Sequence, residues 1–184
     1  MKTSSYFDHT NVLLRVVLLA GLSGGLAEMI WVQLYTFLAG QSSVVVARAV
    51  TASLSSGLAQ TVVAPEIGVA IHLVLSVFVA LIYALLVWLP FTQHRGPTAS
   101  LAVASGVLAC IWAINFLLLL PLVNAKFAGL LPYSVTLGSK LLFGVAMAGV
   151  FHLAQSRRPD GSGLYRRENK THSEVNNPSA IKPR

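Results

Sequence analysis

Four residues bring chemistry into long apolar runs: Glu28, His72, Asn115 and Lys140. An ionisable or strongly polar side chain at membrane depth is rare and expensive, and it marks a site of cross-helix bonding or of proton and ion handling. Glu28 stands out. It follows the glycine-rich stretch GLSGG and shares the run from 11 to 40 with a single other charge, Arg15. Helical spacing puts Gly21, Gly24, Gly25, Glu28, Val32 and Tyr35 on one side. Gly21 and Gly25 make a GxxxG, which admits a neighbouring backbone at close range, so this side faces other helices. Three readings of Glu28 stand open: an acid that holds helices in register, a carboxylate that handles protons or ions, and one that reaches the interface.

Depth suggests its partner. At about 1.5 Å per residue, Glu28 lies roughly 16 Å from the end of the first run, and Lys140 roughly 13 Å from the start of the last run on the same side. Neither charge is tolerable alone in hydrocarbon, so opposite charges at similar depth on inward faces should pair. His72 and Asn115 fall in the same half and complete a candidate polar cluster.

Other chemistry finds little support. No HExxH, GxSxG, phosphate-binding glycine loop or carboxylate pair occurs. Glu28 and Glu66 are the only acids between residues 10 and 155, too few to hold a divalent metal unaided. A b-type haem needs two histidines at matched depth, whereas His72 and His152 lie near opposite ends of their runs. The lone Cys110 allows no disulfide within the chain and reads as a packing residue. The expectation is no catalytic residue, no cofactor and no metal.

The elements that must carry these residues are helices in a bilayer. The 184-residue chain is 55 % hydrophobic and 10 % charged, with a mean hydropathy of +0.70. That profile belongs to membrane proteins. The fold class is all-α: a polytopic four-helix bundle in residues 1–155, with spans at about 12–39, 67–90, 99–120 and 133–155, each near the roughly 20 residues that a bilayer needs. The basic start and small residues at 25–27 resemble a signal peptide, but the apolar run continues too far, so an uncleaved anchor is expected. Residues 41–64 are too polar to span. Val46, Val50, Leu54 and Leu58 recur every four, which predicts an interfacial helix over about 43–62, or two short helices broken near Ser55-Ser56-Gly57. Pro65-Glu66 marks the next helix start. Residues 156–184 are polar and basic and read as a disordered tail.

The net charge of +7 does not indicate nucleic acid, because the basic residues flank the runs or lie in the tail. Ten Lys and Arg lie in the N-terminal region, the turn at Arg95 and the tail, against two in the other connections. The bias predicts both termini in the cytoplasm. Spans 2 and 4 align at an offset of 68, pairing His72 with Lys140, Ser76 with Gly144 and Tyr83 with Phe151. The first and third spans match less well, with Trp31 against Trp112. Two parallel helix hairpins about an axis along the membrane normal would give this pattern. Small residues Gly21, Gly25, Ser76, Ala80, Gly144 and Ala148 are the expected helix-packing positions.

GLSGGLAE near the start, IHLVLSVFVALIY in the second span, and the Pro121, Pro132 and GSKLLFGVAMAG pattern at the end resemble the small four-span bacterial inner-membrane proteins of the YagU type. The resemblance covers most of the membrane part and not the tail, and Lys140 stands where that pattern has a His. It implies a four-span architecture in a bacterial inner membrane and no assigned activity. Two functional expectations follow: a non-catalytic bundle, with the bilayer and a second copy or a larger membrane complex as partners, or a conduit for protons, ions or a small solute through Glu28, His72, Asn115 and Lys140.

Overall fold

The computed structural model describes residues 3–92 and 96–156, with side chains placed for 11–90 and 96–156. The expectation of a disordered tail concerns residues that, from 157 onward, lie outside this range. All regular structure among the described residues is helical. Helix α1 runs over Thr3–Leu38, α2 over Ser43–Leu54, α3 over Ala64–Tyr83, α4 over Pro97–Ala113, α5 over Leu120–Ala128 and α6 over Tyr133–Ser156. Four stretches are long and apolar enough to cross a membrane: Asn11–Leu38, Ala64–Pro90, Pro97–Ala128 and Tyr133–Ser156.

Helix α1 stops at a glycine. Gly40 takes φ +65, a left-handed conformation that costs glycine nothing. Crossed bonds from Gln41 N to Thr36 O (2.8 Å) and Gly40 N to Phe37 O (3.1 Å) close the end. Helix α2 is shorter than a single helix over 43–62, because Ser55 turns extended (φ −156, ψ 120), and the break falls near Ser55-Ser56-Gly57, where the alternative of two short helices placed it. The chain then folds back through a single 3-10 turn at Leu58–Gln60. Arg48 fixes the reversal by donating to the carbonyls of Ala59 (2.7 Å) and Thr61 (2.9 Å). Thr51 donates to Ala64 O across the same gap (2.5 Å).

Two prolines shape the middle of the chain. Helix α3 continues as a π-helical segment, Ala84–Thr92, which contains Pro90. Helix α4 continues through a second, Ile114–Leu119, just before Pro121. Proline lacks the N–H that would bond four residues back, and its ring crowds that carbonyl. The two carbonyls concerned, those of Leu86 and Leu117, both lie in the π segments, where a wider turn relieves the clash. The helical path therefore passes Pro121, kinks at Asn124 (φ −153, ψ 77) and ends at Ala128. This corrects the expected third span, which ended at 120 and left 121–132 as connection; four residues remain between α5 and α6.

Helices α1 and α3 touch backbone to backbone. A Cβ added at Gly21 would lie 2.5 Å from Val77 Cα, and one at Gly25 would lie 2.6 Å from Ser76 Oγ. Across the bundle, a Cβ at Gly144 would lie 3.3 Å from Ser105 Cα of α4. Gly21, Gly25, Ser76, Ala80, Gly144 and Ala148 are all buried. Helix α6 is the central element: 44 % of its most apolar window is buried, against 17 % for the Pro97–Ala128 stretch. Toward its C-terminal end it packs a dry core in which Phe151 meets Tyr83 (centroids 5.6 Å) and Trp88 (4.9 Å), with Phe143, Met147 and Leu108 alongside.

Candidate functional site

At the other end of the bundle, where α2 and α5 lie, the space between helices is not filled and has polar side chains in its wall. Glu28 comes from α1, His72 from α3, and Ser139 and Lys140 from α6. The glycine patch one turn before Glu28 lets α3 approach, and Gly24 leaves room for the Phe143 ring of α6, which an added Cβ would meet at 2.8 Å. The result is a carboxylate set among three helices.

Lys140 Nζ lies 2.7 Å from each Glu28 oxygen, a forked, charge-assisted bond. The ammonium also sits 5.9 Å from the Phe143 ring centre, within cation–π range. Ser139 Oγ approaches Glu28 Oε1 at 3.2 Å but donates at 2.7 Å to Thr136 O. With one proton for two acceptors, its shorter bond is to the carbonyl. His72 Nε2 stands 3.3 Å from Gly25 O and 3.9 Å from Glu28 Oε2. A carbonyl only accepts, so Nε2 carries the proton, and the carboxylate lies beyond hydrogen-bond reach of it.

A surrounding frame of hydrogen bonds fixes these side chains. Trp31 Nε1 donates to Val135 O (3.0 Å), tying α1 to the start of α6. Trp112 Nε1 donates to Thr136 Oγ1 (3.0 Å), which in turn donates to Tyr133 O (3.1 Å). Ser76 donates to His72 O (2.7 Å). Asn124 Nδ2 reaches Ser53 Oγ (3.1 Å) and Ala49 O (3.4 Å), which holds α2 against α5.

Asn115 does not join this group. It is half-buried at the start of the second π segment, and its side chain has no hydrogen-bond partner among the described residues. The next residue, Phe116, faces the site instead. Depth placed Asn115 correctly along the axis, but one residue of helix is a rotation of about 100°, and depth says nothing about that rotation.

Glu28, His72 and Ser139 open onto a cavity of about 450 Å³. Its wall is mostly apolar, with Val50 of α2, Val69 of α3, Phe116 and Phe127 among its residues, and Glu66 stands at its edge. Lys140 lies behind Glu28 and is not part of the wall. Sequence reasoning missed Ser139 and Thr136, although their spacing of three, next to Lys140, puts them on one face. Among the described residues, no three His, Cys, Asp or Glu side chains gather as metal ligands would. With the geometry in view, no protein-family model, curated protein or solved structure matches this chain.

Proposed function

We propose that this chain is a non-catalytic integral-membrane bundle, a scaffold or accessory subunit of a membrane assembly, with Glu28 and Lys140 as the lock between its first and last spans. One observation carries the reading: the Lys140 ammonium bonds both Glu28 oxygens at 2.7 Å. A carboxylate held at 2.7 Å by a fixed cation is poorly placed to exchange protons with a passing solute. The aromatic packing of Tyr83, Trp88, Phe143 and Phe151 beneath it supports the same reading, since these rings fill the space between the helices there.

The charge bias supports a bacterial inner-membrane location with both termini cytoplasmic, and the YagU-type resemblance agrees with it. Under that topology the cavity lies in the outer half of the bundle. The side-by-side contact of Tyr83 with Phe151 supports the two-hairpin repeat, as does the flanking of Glu28 by both His72 and Lys140. Residues related by a parallel repeat meet at its axis.

The conduit reading keeps one observation in its favour, the open cavity that reaches Glu28 and His72. Purified protein in liposomes decides between the two. The bundle reading expects no proton or solute flux above empty vesicles, and a stoichiometric partner after mild-detergent purification. Flux that Glu28→Gln abolishes would overturn it.

A further inference from the structure

The cavity itself can hold an occupant, a role beyond that of a scaffold. Its volume, about 450 Å³, lies within the range of small-molecule sites, roughly 300–1,000 Å³. Its apolar wall comes from four directions: Val50 on α2, Val69 on α3, Met29 on α1 and Phe116 after α4. Helix α2 is held over it by Arg48, Thr51 and Asn124, so the shape is built rather than incidental.

The charges of the wall are all acidic. Glu28 already has its cation in Lys140. Glu66, exposed in the first turn of α3, has no ion pair among the described residues. The sites of Arg48 and Lys126 do not change this: Arg48 is spent on the carbonyls of Ala59 and Thr61, and neither residue lines the cavity. An apolar chamber lined by one carboxylate that has no ion pair among the described residues is complementary to a molecule with an apolar body and a positive head. We infer that the cavity binds an amphiphilic cation, a hydrophobic amine or quaternary ammonium, with its body between α2 and α3 and its charge at Glu66.

Two isosteric ions test this directly: tetraphenylphosphonium and tetraphenylborate, titrated against the full chain in dodecyl maltoside micelles, whose head groups carry no cation. The micelle leaves both faces accessible, so the result does not depend on topology. Saturable binding of the phosphonium and none of the borate is expected. Glu66→Gln should weaken phosphonium binding about tenfold, the scale of one screened charge contact, with unchanged thermal stability. Val50→Trp should fill the chamber and abolish binding, and Val69→Phe on the facing helix serves as a second filler should the first disturb folding. Phosphatidylethanolamine added to the micelles separates two sources of the head group: weaker phosphonium binding there assigns the pocket to a lipid amine, and unchanged binding assigns it to a free one. Equal binding of borate and phosphonium, or phosphonium binding that survives both fillers or is indifferent to Glu66→Gln, would overturn the inference.

Discussion

The same helices build both ends of this bundle, and the two ends differ in what separates them. Toward the C-terminal end of α6, rings fill the gap: Phe151 lies against Tyr83 and Trp88, with Met147 fully buried beside them. At the α2 end, the gap holds a charge pair and a cavity, and the helices are tied by side chains that reach backbone carbonyls. The glycines mark the boundary. Gly21 and Gly25 bring α1 and α3 into backbone contact just below the cavity, and small spacing there leaves the bulk to be supplied on either side. An apolar end can be sealed by packing alone. A polar end cannot, because every buried polar atom needs a partner, and the partners found here come from all three neighbouring helices.

Several substitutions would break or sharpen this contrast. The largest effect should come from the dry end. Phe151→Ala removes a ring from between two others, and a loss of about 3 kcal/mol or more is expected, read as a lower midpoint in denaturant-induced unfolding in micelles. Gly21→Val should cost about 1–3 kcal/mol by forcing α1 off Val77, measured the same way, and Gly149→Ala, where a Cβ meets nothing within 4 Å, should cost nothing or stabilise by up to about 1 kcal/mol. Thr51→Val should cost about 1 kcal/mol by leaving Ala64 O without its donor, and faster hydrogen exchange confined to α2 and the start of α3 would localise the loss. Asn115→Leu should change stability by less than about 0.5 kcal/mol, because its amide has no partner to lose among the described residues. A loss as large as that at Thr51 would return Asn115 to the polar cluster.

Accessibility draws the same line without unfolding anything. In a Cys110→Ala background, Val50→Cys should react with a membrane-impermeant maleimide added to the α2 side, and Phe143→Cys should not. Reporter fusions settle which side that is. Activity of a cytoplasm-only reporter after Arg158, and none after Gln60, is expected from the charge bias; the opposite pattern would invert the topology.

Much of the fold was legible in the sequence because helical periodicity and apolar length are one-dimensional signals. The depths of Glu28 and Lys140 could be counted along two helices, and a charge that must be buried narrows its own choice of partner. The rest depended on rotation and on path. Asn115 has the right depth and the wrong face. The two prolines read as span ends, yet the π segments before Pro121 and around Pro90 carry the helices past them. Arg48 read as the polar side of an interfacial helix and Asn124 as part of the connection over 121–132, and both make bonds that hold α2 in place. The cavity was not legible at all, since a void is a property of how helices fail to meet.

The central claim, that Glu28 and Lys140 lock the first span to the last, is tested most directly by a double-mutant cycle of Glu28→Gln and Lys140→Met. Each single change leaves a buried charge unpaired and should cost about 3 kcal/mol of unfolding free energy. The double change removes both charges and should recover most of that loss, giving a coupling energy well outside the roughly 0.5 kcal/mol scatter of independent sites. Single effects that simply add would contradict the account, because two residues that add do not hold each other.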